Sequence, residues 1–354
     1  MPRKKDAASP TPSQWIVNPD VDLVETLAKY GRFLEHDYRM AIDSMEIPGE
    51  FDEFTEKSNR RFVIVGAKSV PGATAKSVFL CLKLAGPESV MVKAPTLDEG
   101  WLIQNVIDHY GKDVETHVFQ EHSDELKLSS EWRDCLEKAT DIVVFGDEYT
   151  AAAFEELETP SRRVWIHGPK FSFGIVKASD FTLGNMEEIG FDFYSYYGEG
   201  CLSPKFYVIV GDVTQKQYQD MSAVMQNLYA MAIDEFRNKL PLTRKSELVQ
   251  QTILANYRSK YVREEKLNSR EIFSTLYGDT RFVVVNELED LEPFIEKWRD
   301  RISTVSIEPN DEEALDFLED QLITRICSIG EMQFPHFFEQ FDTTDDFDVY
   351  VGED

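Results

Sequence analysis

The sequence predicts an α/β protein in which a doubly wound parallel sheet is followed by a second α/β unit. Short apolar runs alternate with segments of helical spacing from residue 61 onward. Such repeated alternation is typical of parallel sheets, because each parallel strand needs a crossover connection. The chain of 354 residues also exceeds the roughly 250–300 residues at which a single core stops growing. We therefore expect two lobes.

The first lobe is predicted from five strand-like runs separated by helices. The strands are expected at residues 62–65, 89–92, 117–119, 141–145 and 163–166, and the helices at 73–84, 97–109, 129–139 and 151–157. In such sheets ligands bind at the carboxyl ends of the strands. The loops 66–72, 93–96 and 146–150 should therefore share one edge, which we expect to be a nucleotide site.

The second lobe is predicted from a further set of apolar runs. After a strand expected at residues 171–176, still in the first lobe, residues 181–196 form a mixed segment. Strands of the second lobe are then expected at residues 206–210, 280–285 and 304–307, with helices at 215–239, 244–260, 290–299 and 311–323. The pattern indicates a second α/β unit after about residue 180.

The charge and cysteine content narrow the function classes. Acidic residues outnumber basic ones by 65 to 37, and the net charge of −28 repels phosphate backbones, so nucleic acid is not an expected partner. This acidity is either an adaptation to a salty cell interior or a means of staying soluble. The four cysteines form no CxxC pair, which argues against a zinc site or a disulfide framework.

The hydropathy pattern argues against a membrane protein. No stretch approaches the roughly 20 consecutive apolar residues that span a bilayer. The first residues lead into a polar tail and not into an apolar signal core. We therefore expect a cytoplasmic protein with reduced thiols.

A cysteine lies in the glycine-rich stretch GEGCLSPK, directly before a predicted strand. Gly198 and Gly200 permit backbone conformations that would lift the Cys201 thiol out of a packed sheet. A short helical turn from Ser203 would point N–H groups at the thiol and favour the thiolate. The alternative is a small buried side chain, as a lone cysteine often is. These residues alone leave both interpretations open.

Two loops of the first lobe carry further candidate residues. The stretch GAKSVPG, residues 66–72, opens a helix where a nucleotide-binding loop would lie, but it lacks the GxGxxG pattern. Lys93 puts a cation at the end of the next strand, which Pro95 terminates. Lys93 is either a functional lysine on an acidic chain or a solvated lysine of the kind common at strand ends.

The order of these stretches resembles a known family. The chain carries, between residues 61 and 335, GAKSVPG, VKAP, FGDEYT, HGPKFSFGIV, GEGCLSPK and RICSIGEMQFP. This order is similar to that of the acyl-CoA reductases related to the bioluminescence fatty-acid reductase, a branch of the aldehyde dehydrogenase superfamily. The resemblance implies a Rossmann-type nucleotide-binding domain and an α/β domain that carries a nucleophilic cysteine.

The resemblance also implies roles for particular residues. Cys201 matches the nucleophile that takes an acyl group from a thioester, and Ser69 matches the second donor to the oxyanion. The cofactor, NADPH or NADH, is implied to contact a set of residues at the nucleotide edge, namely Lys93, Pro95, Gly146, Asp147 and Gly168. The substrate is implied to be an acyl-CoA or an acyl-carrier protein thioester, and the protein is implied to be a homo-oligomer without a metal.

Three positions depart from the family pattern. Ser69 stands where many relatives have asparagine, and Asp147 stands where many have serine and would repel a phosphate. Ile166 stands where hydrolytic aldehyde dehydrogenases have a glutamate that activates water, which favours a reductase. The alternatives are an enzyme that oxidises aldehydes and a non-catalytic scaffold that keeps the fold.

The resemblance and the hydropathy pattern together predict four regions. We expect a flexible tail over residues 1–20 and an N-terminal helix with the NAD(P)-binding domain over residues 21–180. A catalytic thioester domain is expected over residues 181–325, and a C-terminal segment over residues 326–354.

Overall fold

The computed structural model describes two compact units, which divide between Gly168 and Pro169. The described residues are 27–28, 35–43, 60–67, 70–110, 116–120, 130–198, 200–236, 262–264, 267 and 280–335. The predicted tail over residues 1–20, the predicted helix over 244–260 and the C-terminal segment beyond residue 335 lie outside them. The α/β class predicted from the sequence is confirmed, because both units contain parallel sheets with helical crossovers.

Unit 1 contains a sheet of five parallel strands in the order β3-β2-β1-β4-β5. The strands are β1 (Arg60–Val65), β2 (Ala85–Ala94), β3 (Thr116–Gln120), β4 (Asp141–Phe145) and β5 (Arg163–His167). The helices are α1 (Glu35–Asp43), α2 (Ala73–Leu84), α3 (Leu97–Tyr110), α4 (Ser130–Lys138) and α5 (Glu148–Glu155). The strand order reverses between β1 and β4, and in open α/β sheets the ligand crevice lies at this switch point.

The amino edge of this sheet is closed by a buried ion-pair network around Asp141. The Asp141 carboxylate is fully buried and accepts hydrogen bonds from Arg60 at 2.6 and 3.0 Å and from the Thr140 hydroxyl at 2.7 Å. Arg163 and Trp165 donate to it from β5 at 3.1 and 3.2 Å. Burial opposes the charged form, but the hydrogen bonds outweigh it and lower the pKa of Asp141. The network joins β1, β4 and β5 at the edge opposite the expected ligand crevice.

Unit 2 contains a sheet of six parallel strands in the order β11-β10-β6-β7-β9-β8. The strands are β6 (Phe171–Lys177), β7 (Pro204–Val210), β8 (Val262–Glu264), β9 (Thr280–Val285), β10 (Ile302–Ile307) and β11 (Ile326–Ser328). The helices are α6 (Leu183–Tyr194), α7 (Gln215–Phe236), α8 (Glu292–Trp298) and α9 (Glu312–Asp320). Among the helices of the described residues, none combines the length and apolar character that crossing a membrane requires.

The division between the units differs from the boundary that the sequence suggested. We expected the strand over 171–176 to belong to the first domain, which was to end at residue 180. Instead β6 lies inside the second sheet, where it pairs with both β7 and β10. Its residues are buried on both faces, so its sequence resembles the strands of either sheet, and only the pairing assigns it.

In the middle of the second sheet the Tyr207 ring packs directly over Gly174. Tyr207 on β7 is the register partner of Gly174 on β6, which in turn pairs with Ser306 on β10. A Cβ at Gly174 would overlap the Tyr207 ring, so only glycine fits there. The ring spans the central strand, and its hydroxyl lies 3.0 Å from the Ser306 hydroxyl and 2.8 Å from the Asp192 carboxylate. This crossing links three strands to α6.

Replacing Gly174 by alanine should therefore destabilise unit 2. The added methyl group would displace the Tyr207 ring, and overpacking of this kind costs about 1–3 kcal/mol or more. The matched control is Gly184→Ala in α6, where the nearest atom to a new Cβ is Thr182 Oγ1 at 3.7 Å. That change should be neutral or stabilising. Denaturant unfolding followed by circular dichroism measures both, and equal midpoints for the two variants would contradict the role given to Gly174.

Candidate active site

The carboxyl edge of the unit 1 sheet brings two of the predicted loops together. The Gly66 amide donates to the Lys93 carbonyl at 3.0 Å, which joins the ends of β1 and β2. A Cβ at Gly66 would come within 2.8 Å of Pro95 Cδ and 2.7 Å of Thr74 Oγ1. Glycine is therefore needed where β1 turns into the loop. The Lys93 side chain is partly exposed at this edge.

The loop that carries Ser69 is held at both of its ends. The Thr74 hydroxyl accepts a hydrogen bond from the Ala67 amide at 2.9 Å. The buried Glu99 carboxylate accepts from the Gly72 amide at 3.1 Å and the Thr74 amide at 3.2 Å. Ser69 itself lies outside the described residues, and its predicted role stays a prediction.

Glu99 places a buried acid at the first turn of α2. Desolvation raises the pKa of Glu99 to about 7, although the hydrogen bond from the Gly72 amide favours the carboxylate. The amides at the start of α2 are thus taken by a side chain of the protein. A phosphate would have to compete with this acid at the same helix end.

The second part of the edge lies where β4 and β5 end. The Gly146 amide donates to the His167 carbonyl at 3.4 Å, and a Cβ at Gly146 would lie 2.6 Å from Thr150. Asp147 caps α5, since its carboxylate accepts both the amide and the hydroxyl of Thr150 at 2.9 Å. At Gly168 the atom nearest to a new Cβ is Ile166 Cγ2 at 3.8 Å, an ordinary van der Waals distance, so a side chain would fit there.

In unit 2, Cys201 lies in a tight turn between a 3₁₀ turn (Ser195–Gly198) and β7. Gly198 adopts a left-handed φ of 66°, and a Cβ there would lie 2.9 Å from the Phe193 carbonyl oxygen. Glycine is therefore required at Gly198 by both conformation and space. Cys201 is a partly exposed residue and forms no disulfide.

Two hydrogen bonds hold the backbone of this turn. The Ser203 amide donates to the Gly200 carbonyl at 3.2 Å, and the Ser172 hydroxyl on β6 donates to the Cys201 carbonyl at 2.7 Å. The helical turn expected from Ser203 is wrong, because β7 begins at Pro204 and pairs with β6 from its first residue. The residues after Cys201 therefore enter a strand and not a helix.

A buried polar cluster lies beneath the turn. The Asp192 carboxylate on α6 is fully buried and accepts from the Tyr207 hydroxyl at 2.8 Å. Desolvation raises the pKa of Asp192 to about 7, against hydrogen bonds from the Gly330 amide and from Tyr207 that favour the charged form. Burial and the neighbouring carboxylate raise the pKa of Tyr207 well above its ordinary value, so its hydroxyl stays a donor.

The order of motifs that the sequence showed is matched by a family model. The model of the acyl-CoA reductase (LuxC) family matches residues 117–344, which is more than half of the chain. The chain belongs to the acyl-CoA reductase (LuxC) family. The family resemblance stated from the sequence is therefore confirmed. No curated protein matches the sequence.

The fold of this chain is similar to the folds of several solved structures. A methylmalonate-semialdehyde dehydrogenase from Oceanimonas doudoroffii shares 13% identity over 90% of this chain and 78% of that chain, with a TM-score of 0.60. A 1-pyrroline-5-carboxylate dehydrogenase from Thermus with bound NAD shares 11% identity over 93% and 76%, with a TM-score of 0.59. The AldH of Staphylococcus aureus shares 11% over 93% and 83%, with a TM-score of 0.58. The expected aldehyde dehydrogenase fold is thereby confirmed.

The family match covers some of the candidate residues and not others. Residues 117–344 include Cys201 and the edge formed by Gly146, Asp147 and Gly168, whereas Ser69, Lys93 and Pro95 precede them. The roles of all these residues remain predictions.

Several polar residues of the site escaped the sequence reasoning. Asp192 lies in the otherwise apolar run Ile189–Tyr194, and an acid in such a run is a signal of a buried, hydrogen-bonded group. Gln333 lies in the quoted stretch RICSIGEMQFP, but nothing in the sequence indicates its partner. Glu99 looks like an ordinary first-turn acid of α3, so its contact with α2 could not be anticipated.

Replacing Glu99 by glutamine should alter the pH dependence of stability. The pKa of Glu99 is raised in the folded state, so the folded protein binds the proton more tightly, and this contribution to stability is lost as pH rises from about 4.5 to about 7. A shift of this size corresponds to roughly 3 kcal/mol. Denaturant unfolding at pH 5 and at pH 8 gives the free energy of unfolding at each pH. Between these two pH values it should fall less in Glu99→Gln than in the parent protein. An unchanged decline would contradict the burial of a titrating acid at α2.

Proposed function

We propose that this protein reduces an acyl thioester to an aldehyde, with Cys201 as the residue that accepts the acyl group. The family match over residues 117–344, which includes Cys201, carries this proposal. The partial exposure of Cys201, in a turn fixed by Gly198 and Ser172, supports it, because a nucleophile must be both accessible and held in place. The acyl donor is an acyl-CoA or an acyl-carrier protein.

In the proposed reaction the Cys201 thiolate attacks the carbonyl carbon of the thioester. A bond forms between the Cys201 sulfur and this carbon, and the bond to the donor sulfur breaks, so that the donor leaves as a thiolate. Backbone N–H groups of the turn, with the Ser69 hydroxyl as a second donor, stabilise the oxyanion. NADPH or NADH, when bound, supplies the two electrons and the hydrogen that convert the acyl group to the aldehyde and return the Cys201 thiolate.

The residue at position 166 supports reduction over hydrolysis. Ile166 on β5 has no proton-accepting group, and it stands where hydrolytic relatives have a water-activating glutamate. Without that base, water is a poor nucleophile toward an acyl-enzyme. The acyl group is thereby preserved for reduction.

The carboxyl edge of unit 1 is the site that we propose for a nicotinamide nucleotide. Its charged side chains, a lysine and a helix-capping aspartate, decide which of them contacts the phosphates. Lys93 is the cation of the expected set at this edge, and it is partly exposed there. At α5 the Asp147 carboxylate already accepts the Thr150 amide. We therefore assign the main phosphate contact to Lys93 and not to the first turn of α5.

Replacing Cys201 by alanine should abolish the reaction, because no other group would accept the acyl chain. We expect acyl-CoA-dependent oxidation of NADPH or NADH below roughly one thousandth of the parent rate, and no covalent acyl label in mass spectra. The matched control is Cys327→Ala, which removes another partly exposed thiol of unit 2 and should leave both signals intact. A Cys201→Ala variant that still carries the label would contradict the assignment. A carboxylate product from free aldehyde would instead identify an oxidising enzyme.

Replacing Lys93 by methionine should weaken nucleotide binding, because it removes the cation assigned to the phosphates. Saturating NADPH or NADH should raise the unfolding temperature of the parent protein, as any ligand of the folded state does. The rise should shrink in Lys93→Met and persist in Lys138→Met, which changes an exposed lysine at the end of α4. Absence of any rise in the parent protein would favour the non-catalytic alternative.

A further inference from the structure

The segment after β11 runs along α6 and is held there by a buried acid. The Gly330 and Met332 amides donate to the Asp192 carboxylate at 2.9 and 3.2 Å. Gly330 adopts a φ of 88°, and a Cβ there would lie 3.0 Å from Glu188 Cβ, so the chain approaches α6 as closely as glycine allows. Residues 330–333 thus have a fixed place against the helix that precedes the Cys201 turn.

The buried side chain of Arg325 holds the same segment by its backbone carbonyls. The Arg325 guanidinium donates to the Met332 carbonyl at 2.9 Å and to the Glu331 carbonyl at 3.1 Å. It also donates to the Thr304 hydroxyl on β10 at 3.3 Å. The amides of the segment therefore donate to a carboxylate, and its carbonyls accept from a guanidinium. Together these bonds fix both the position and the orientation of the backbone.

Gln333 connects this segment to the turn that carries Cys201. Its side-chain amide donates to the Asp192 carbonyl at 3.2 Å and to the Ser203 hydroxyl at 3.1 Å. Ser203 is fully buried, and its own amide closes the turn at Gly200. A continuous chain of hydrogen bonds thus leads from Asp192 through Gln333 to the residue two positions after Cys201.

The way Gln333 is buried points to positioning and not to packing alone. Its side-chain Nε2 makes two hydrogen bonds, while its Oε1 is buried and finds no hydrogen-bond partner among the described residues. A buried acceptor without a partner weakens the folded state, and an apolar side chain of the same size would avoid that loss. Gln333 therefore contributes through its side-chain N–H groups, which bind the Asp192 carbonyl and the Ser203 hydroxyl.

We propose that Gln333 and Asp192 are positioning residues for Cys201, with Asp192 fixing the segment 330–333 and Gln333 fixing the Cys201 turn through the Ser203 hydroxyl. This inference rests on the proposed role of Cys201 as the acyl acceptor. When the Ser203 hydroxyl is held, the turn that its amide closes at Gly200 keeps one geometry, and Cys201 within that turn keeps one position. A displacement of about 1 Å at a reacting group can cost about a hundredfold in rate.

A double-mutant cycle tests the proposed route. Gln333→Met removes the donor and keeps the volume, Ser203→Ala removes the acceptor, and the third variant carries both changes. Acyl-CoAs from acetyl to hexadecanoyl are screened on the parent, and the fastest is used for single-turnover acylation of Cys201. We expect each single variant to be slower by at least about tenfold, and the double variant to be no slower than the worse single variant. Multiplied losses in the double variant, or a parent rate in Gln333→Met, would overturn the inference.

A control variant separates positioning from simple loss of stability. Ser195→Ala removes a buried hydroxyl that donates to the Phe191 carbonyl at 2.8 Å, in the 3₁₀ turn after α6. It deletes a hydrogen bond of the same kind without touching the route from Asp192 to Ser203, so its acylation rate should equal that of the parent. If it slows acylation as much as Ser203→Ala, the effect is one of stability and the inference fails.

A second readout keeps this inference separate from the proposed function. The rate of iodoacetamide alkylation at Cys201, followed on its peptide by mass spectrometry from pH 5 to pH 10, reports the environment of the thiol without any acyl substrate. We expect the profile to shift equally in Gln333→Met and Ser203→Ala, while the profile of Cys327 stays in place. Unchanged Cys201 profiles would overturn the inference, whereas shifted profiles in a protein that takes no acyl label would overturn only the proposed function.

Discussion

The second unit depends on one close approach, the Tyr207 ring lying across Gly174. Because β6 has no side chain at Gly174, the Tyr207 hydroxyl spans the central strand and reaches both Ser306 and the Asp192 carboxylate. That carboxylate is buried and needs donors, which Tyr207 and the amides of the segment 330–333 supply. The buried polar cluster beneath the Cys201 turn therefore depends on the absence of a side chain at Gly174.

Both units use acids to fix backbone where a ligand or substrate is expected; Glu99 and Asp192 are buried, and Asp147 is exposed. In unit 1 the Glu99 carboxylate binds the amides at the start of α2, and the Asp147 carboxylate caps α5. In unit 2 the Asp192 carboxylate binds the amides of the segment 330–333. Each acid binds backbone N–H groups that could otherwise bind an anion. The backbone is fixed at these places, and fewer N–H groups are available to a phosphate. In a chain with a net charge of −28, this adds weight to the phosphate contact that we propose for Lys93.

The sequence predicted local structure well and long-range contacts poorly. The helix over residues 73–84 and the strands over 141–145 and 280–285 have the bounds that their hydrophobic patterns indicated. These segments are strongly periodic, and periodicity depends only on neighbouring residues. The helical turn after Ser203 was wrong, since strand pairing with β6 overrode a local preference. The contact between Gln333 and Ser203 joins positions 130 residues apart, and no local pattern encodes it.

By itself the sequence determined the α/β class, the order of the strands along the chain, the family and the choice of Cys201 as the candidate nucleophile. These follow from residue types and spacings that act locally or are carried in short motifs. The tertiary structure alone decided that β6 belongs to the second sheet, that Glu99 caps α2, and that Asp192 and Gln333 support the Cys201 turn. The reason is physical: sheet pairing and the satisfaction of buried polar groups depend on which distant segments meet, and that choice is made only when the chain is packed.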